Sequence, residues 1–97
     1  LALPDEYDPP YRLAWLLLKN ERPKEALAPA ERSLALVYGP RKGRVFGLVA
    51  DIYLALGDRV KARQNYTSAY AIYAAMKDLR WTKVAKHYRD KMDALLQ

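Results

Sequence analysis

The sequence contains no cysteine and only one histidine, His87. Without thiols, neither a disulfide framework nor a thiolate metal site can form, and the redox compartment cannot be read from the chain. One histidine falls short of the usual zinc ligand sets, so no metal and no cofactor is expected. Gly-rich phosphate loops and nucleophile elbows are missing as well. The sequence therefore predicts a protein that is not an enzyme.

Long apolar runs are also scarce. The longest run without tyrosine spans six residues, Leu13 to Leu18, far below the roughly 20 that cross a bilayer, so no membrane insertion is expected. The chain begins at Leu1 without a basic segment before an apolar one, which is typical of an excised or processed domain. Since no targeting segment is visible, the cytoplasm is the expected location.

Glycine and β-branched residues are few, whereas leucine and alanine dominate, which favours helix over strand. Hydrophobic residues make up 52% and charged residues 29% of the 97 positions, a composition that predicts one globular domain. The formal net charge is +6. Asp5, Glu6 and Asp8 precede the first base, so we expect an extended acidic lead over residues 1–8 and a basic helical domain over residues 9–97.

Periodicity and breaker residues predict five helices joined by short turns. Pro29 should kink the second helix near Glu25 or Ala26 without rupturing it. "YGPRKG" is predicted as a loop, and Gly57 with Asp58 as the end of one helix and the cap of the next. The predicted ranges are Pro9 to Lys19, Pro23 to Val37, Arg44 to Leu56, Arg59 to Met76 and Arg80 to Leu96.

The chain repeats itself. "LAWLLLKNERPKEAL" aligns with "VADIYLALGDRVKAR" at a spacing of 36, and "VADIY" returns as "VAKHY" 35 residues later. The pattern resembles the tetratricopeptide repeat (TPR) family, in which W-x2-L-G-x2-Y marks the first helix of a pair and A-x3-F the second. The middle unit carries the resemblance best, through Phe46, Val49, Ala50, Tyr53, Gly57, Ala62, Tyr66 and Ala69.

The resemblance covers about two and a half repeats, over residues 9–40, 43–77 and 78–97, the last being incomplete. Trp81, Val84, Ala85 and Tyr88 open the third unit. The first unit departs from the pattern, because Pro10 stands where the leading aromatic belongs, Ala30 where the second-helix aromatic belongs, and Ser33 in place of an alanine. The resemblance implies an all-α fold of stacked antiparallel helix pairs, a short right-handed solenoid, whose linkers are similar to those of bacterial signalling and regulatory repeats.

The family's function implies a non-catalytic protein-protein interaction module that binds a peptide or helix in a concave groove. The groove-facing positions that correspond to the motif are Tyr11, Arg12, Trp15, Leu18, Arg44, Leu48, Asp51, Leu54, Lys83, Lys86 and Arg89. Trp15 is either an aromatic anchor for a partner or a residue covered by the lead, with equal weight. The carboxylate clamp of some family members is not expected, since Trp15 and Leu48 replace its asparagines.

The stretch "RWTKVAKHYRDK" sets basic side chains among aromatics, at residues 80–91. Lys83, Lys86 and Arg89 recur at three-residue spacing, which suits either an anion-binding face for an acidic peptide or phosphate, or a solvated helix surface. The solvated surface is the more common of the two. His87, with no second histidine or cysteine to join it, is expected to be a surface or half-buried helix residue.

Three further hypotheses remain open. Nucleic acid is a less favoured partner, through Arg41, Lys42, Arg44 and the bases of the fifth helix. Homodimerisation, or packing on the rest of a longer chain, would use the fifth helix, whose Trp81, Tyr88 and Met92 have no following helix to cover them. The tyrosines at positions 66, 70 and 73 suit either a base-stacking platform or packing between helix pairs, and packing is preferred.

Overall fold

Five α-helices follow one another in a computed structural model that describes residues 8–76 and 78–96, and this part of the chain contains no strand. The fold is all-α, as predicted. The helices are α1 (Asp8–Lys19), α2 (Pro23–Leu36), α3 (Pro40–Ala55), α4 (Arg59–Ala74) and α5 (Thr82–Ala94), and a short 3-10 turn, Leu79–Trp81, precedes α5. Residues 1–7 of the expected acidic lead fall outside the described residues, and Asp8, its last predicted residue, begins α1 instead.

Two of the predicted helix starts are wrong, and the fourth and fifth helices end two residues before the predicted Met76 and Leu96. The third helix begins at Pro40 and not at Arg44, so most of the predicted "YGPRKG" loop is helical. Proline fits the first helical position because its fixed φ suits the helix and its missing N–H would have no partner there. The fifth helix begins at Thr82, because Asp78 first caps a 3-10 turn by accepting a hydrogen bond from the Arg80 backbone N–H at 3.0 Å.

The turn between α3 and α4 follows the predicted chemistry. Gly57 has a φ of +84°, a left-handed conformation that glycine adopts without strain. The Asp58 carboxylate accepts a hydrogen bond from the Lys61 backbone N–H at 3.0 Å and so caps α4. Pro29 lies within α2, which continues across it without rupture.

Small residues let the helices pack closely, as the sequence predicts. Ala50 of α3 and Ala62 of α4 are fully buried against Tyr66. A neighbouring cluster joins α1, α2 and α3. Its buried members are Ala14, Ala26, Ala30, Val37, Val45, Leu48, Val49 and Ile52.

Tyrosines and one tryptophan fill the interface between α4 and α5. Tyr66 and Tyr73 are buried, and the ring of Tyr73 stacks on Tyr88 at 5.8 Å and on Trp81 at 5.4 Å between centroids. The predicted packing role is therefore confirmed for Tyr66 and Tyr73, while Tyr70 is half-buried. Rings that face each other across a helix interface are not available to stack on bases.

The fifth helix does not leave its aromatic side chains uncovered. Tyr88, Met92 and Leu95 pack against the cluster formed by Ala50, Ala62 and Tyr66, and Trp81 is half-buried against Tyr73. The dimer surface of Trp81, Tyr88 and Met92 stays a prediction, and these half-buried residues already pack in part against α3 and α4.

Candidate functional site

Three helices lie side by side, with α3 in the middle. The Arg44 guanidinium of α3 lies 4.8 Å from the centre of the Tyr11 ring of α1, and its Nε donates a hydrogen bond to the Tyr11 hydroxyl at 3.2 Å. On the other flank, Gly47 lies against Tyr88 of α5, and Asp51 Oδ1 lies 3.9 Å from Lys91 Nζ. From Gly47 to Asp51 on α3 and from Tyr88 to Lys91 on α5 the residue numbers rise together, so the two helices run parallel.

The exposed side of these helices is called the α1–α3–α5 face, and it is formed by Trp15, Arg44, Asp51, Leu54, His87 and Lys91. Trp15 lies one turn after Tyr11 on the same side of α1, and Lys91 follows His87 by one turn on α5. Trp15 is 44% exposed and Leu54 is 38% exposed. Arg44 and His87 are exposed. Large aromatic and apolar groups that remain accessible are the usual anchors of protein partners.

Trp15 keeps its exposed ring beside a cation. Lys19 Nζ lies 5.3 Å from the centre of the indole ring, at a distance where cation–π attraction holds both side chains in place. Arg12, the neighbouring predicted groove residue, is exposed on α1. The other prediction for Trp15, cover by the lead, falls mainly outside the described residues.

Asp51 is held in a defined position on α3. Its Oδ1 accepts a hydrogen bond from the Tyr66 hydroxyl and lies near Lys91 Nζ. Burial raises the pKa of the Tyr66 hydroxyl above its ordinary value, and Asp51 adds to the rise by accepting this hydrogen bond. Burial also raises the pKa of Tyr88. Both tyrosines therefore stay protonated beside the carboxylate.

A cleft opens between the C-terminal halves of α3 and α5. It has a volume of about 380 Å³, with Leu54 on one wall, Ala94 and Leu95 on the other, and the buried Tyr66 at its base. His87, Asp90 and Lys91 complete the lining. The cleft lies at the low end of the range of about 300–1,000 Å³ for small-ligand sites, and it can accept one large side chain.

Four of the predicted groove residues are placed elsewhere, which corrects the prediction. Leu48 is only 4% exposed and lies in the core, and the half-buried Leu18 packs against the same cluster. Lys86 lies about 200° around α5 from Tyr88. It faces Asp90 at 3.7 Å and is not among the residues that line the cleft. Arg89 follows the buried Ala85 by one turn and so lies towards α4.

Among the predicted groove residues of α5, Lys83 is the one that lies near the α1–α3–α5 face. Lys83, His87 and Lys91 follow each other at four-residue spacing along one side of α5, so Lys83 lies at the edge of the face. Lys91 and His87 were missed as members of the face. The four-residue spacing of Lys83, His87 and Lys91 could have identified them. The predicted groove positions followed the three-residue spacing of Lys83, Lys86 and Arg89 instead.

The described residues contain no group of three histidines, aspartates or glutamates that could hold a metal ion. None of the described helices is both long enough and apolar enough to cross a bilayer. No protein-family model, no curated protein and no solved structure matches this chain. The resemblance to TPR proteins therefore stays a prediction from the chain's own residues.

Proposed function

We propose that this chain is a non-catalytic protein-protein interaction module of the TPR kind, which binds a peptide segment of a partner across the α1–α3–α5 face. The observation that carries the proposal is the packing of α3 between α1 and α5. In a TPR solenoid the first helices of successive pairs lie side by side and line the concave groove, and α1, α3 and α5 are those helices in this sequence.

The chemistry of the face supports the same function. It combines an exposed tryptophan, an apolar cleft beside Leu54 and charged side chains held in place by aromatic neighbours. Binding a partner requires accessible anchors surrounded by polar groups. The small residues at the helix interfaces and the buried tyrosines have packing roles, which leaves the exposed face for recognition. In this proposal the module acts in the cytoplasm, as expected from the sequence.

The test is selection of binders from a displayed library of random 12-residue peptides, followed by affinity measurement by fluorescence anisotropy. We expect peptides that bind the wild-type chain with measurable affinity and that lose roughly tenfold on Trp15→Ala or Leu54→Gln. Tyr38→Ala is the control, because Tyr38 is 87% exposed between α2 and α3 and does not line the cleft beside Leu54. Recovery of no peptide, or equal affinity for all three variants, would contradict the proposal.

Nucleic acid is a second candidate partner, supported by the basic turns that begin α3 and α5. Arg41, Lys42 and Arg44 occupy the first two turns of α3, and no acidic residue lies in the first turn of α3 or of α5. Association through phosphates predicts binding of a 20-base oligonucleotide whose log K falls by about 0.7–0.9 per contacted phosphate with log salt. Undetectable binding at low salt excludes this candidate.

A further inference from the structure

We propose that the chain has a second binding site, for a phosphate monoester, on α4 beside the end of α5. The site is a cavity of about 470 Å³, and its lining residues are Arg59, Val60, Arg63, Gln64, Thr67 and Leu95. Leu95 also lines the cleft beside Leu54, but the two cavities have no other described lining residue in common. The ligand of this site is therefore distinct from the peptide that the α1–α3–α5 face binds in the proposed function.

Arg63 is the residue that favours an anion in this cavity. Its guanidinium keeps its positive charge at every pH at which the chain is folded. The side chain is half-buried, and its Nε is buried without a hydrogen-bond acceptor in the described part of the chain. No described carboxylate forms an ion pair with it. Because burial reduces screening by water, an anion in the cavity is attracted to a cation that the described residues leave uncompensated.

The polar groups around Arg63 also suit an anion. None of the described lining residues carries a carboxylate. Gln64 is exposed, so its amide is accessible as a second N–H donor at the cavity. The Thr67 hydroxyl donates a hydrogen bond to the Arg63 carbonyl at 2.7 Å, which holds that side chain one turn further along α4. Arg59 has an interaction of its own, so the charge assigned to the ligand is that of Arg63 alone.

The class of anion follows from the donors and from the size of the cavity. A guanidinium binds the oxygens of a phosphate through paired hydrogen bonds, and a phosphate monoester carries about two negative charges at neutral pH. The cavity lies within the range of about 300–1,000 Å³ for small-ligand sites, so it accepts more than the phosphate group. Val60, which is 70% exposed, and Leu95 provide apolar surface for the organic part of the ester.

The experiment is a titration of the chain with phenyl phosphate at neutral pH and low salt, followed by nuclear magnetic resonance. The Arg63 Nε–H and Gln64 amide signals should shift and reach saturation. Inorganic phosphate, which lacks the apolar part, and benzoate, which has a single charge, should each bind roughly tenfold more weakly. Shifts that do not saturate, or equal affinity for benzoate and phenyl phosphate, would overturn the proposal.

Two variants place the phosphate group at this cavity. Arg63→Gln should weaken phenyl phosphate by at least roughly tenfold, while Arg32→Gln, on an exposed position of α2, removes the same charge and should have little effect. Because Arg63 is half-buried, Gln64→Glu repeats the test at an exposed position by adding a carboxylate beside the ligand. Ala71→Glu adds the same charge elsewhere on α4 and is its matched control. A loss from Ala71→Glu as large as that from Gln64→Glu would contradict the placement.

A phosphate monoester can belong to a soluble compound or to a lipid headgroup, and vesicles tell the two sources apart. Binding to phosphatidylcholine vesicles that requires phosphatidic acid and is lost in Gln64→Glu assigns the headgroup, whereas binding of phenyl phosphate without binding to vesicles assigns a soluble ester. An oligonucleotide that shifts the same signals at lower concentration than phenyl phosphate would overturn the monoester. Trp15→Ala and Leu54→Gln should leave the affinity for phenyl phosphate unchanged, so this site is tested independently of the peptide.

Discussion

At the scale of single residues, two glycines in α3 allow tyrosine rings of α4 and α5 to approach the backbone of α3 closely. A Cβ added to Gly43 would lie 2.7 Å from Cε2 of Tyr73, and one added to Gly47 would lie 2.6 Å from Cε1 of Tyr88. Both tyrosine rings are held by stacking on each other, so neither can move aside without disturbing the other. These glycines therefore provide the space in which the aromatic interface between α3, α4 and α5 forms.

Gly47→Ala should lower the free energy of unfolding by about 0.5–2 kcal/mol. Overpacking a core costs about 1–3 kcal/mol, while alanine in a helix regains about 0.5–1 kcal/mol relative to glycine. Urea denaturation measures the difference. In a Tyr88→Leu background the clash is absent, and the same substitution should stabilise the chain, so a loss of equal size in both backgrounds would show that the ring is not the cause.

The buried tyrosines predict a loss of stability at alkaline pH. Their pKa values are raised above the ordinary value by burial, so the folded chain holds these protons while the unfolded chain releases them near pH 10. Their contribution is fully present below pH 10 and declines above it, by up to about 1.4 kcal/mol per pH unit for each tyrosine.

Denaturation of the wild type and of Tyr66→Phe/Tyr88→Phe between pH 8 and 11 measures this effect. The wild type should lose stability more steeply above pH 10 than the double variant, which lacks both hydroxyls. Because every other side chain is the same in the two proteins, the difference between the two slopes reports the two hydroxyls. Parallel curves would contradict the burial of the two hydroxyls.

At the scale of elements, helix ends are determined by local chemistry that tertiary packing then completes. The Gly57 and Asp58 turn was predictable because the left-handed glycine and the capping carboxylate each act within a few residues. The start of α3 at Pro40 was not predicted, because Gly39, Pro40 and Gly43 together indicate a loop, although proline also suits a first helical position. A distant residue adds to this first turn, since the Tyr73 hydroxyl donates a hydrogen bond to the Pro40 carbonyl at 3.0 Å. Such a contact is invisible to periodicity.

Asp58→Ala should destabilise the chain by about 1 kcal/mol, because the N–H of Lys61 loses the carboxylate that accepts its hydrogen bond. Thermal denaturation followed by circular dichroism measures the loss. Asp58→Asn is the control, since an asparagine oxygen caps a helix about as well. A variant with asparagine that is as unstable as the one with alanine would show that charge, and not capping, is responsible.

For the whole molecule, the sequence predicts the helical class and the packing roles of Ala50, Ala62 and Tyr66, because small and large residues recur at helical spacing. It does not predict which side of α5 faces α3. The rotation of α5 about its own axis is set by two contacts with α3: Tyr88 packs against Gly47, and Lys91 pairs with Asp51. The repeat correspondence therefore assigned Lys86 and Arg89 to the predicted groove, whereas His87 and Lys91 are the α5 residues that line the cleft beside Leu54.

The measurement that tests the central claim most directly is mapping of amide chemical shifts, by nuclear magnetic resonance, on adding a library-selected peptide. Binding across the α1–α3–α5 face predicts that the largest changes fall at Trp15, Arg44, Leu54 and Lys91. Glu31 on α2 and Ala71 on α4, both exposed, should change little. Largest changes on α2 and α4, with the α1–α3–α5 face unaffected, would contradict the account.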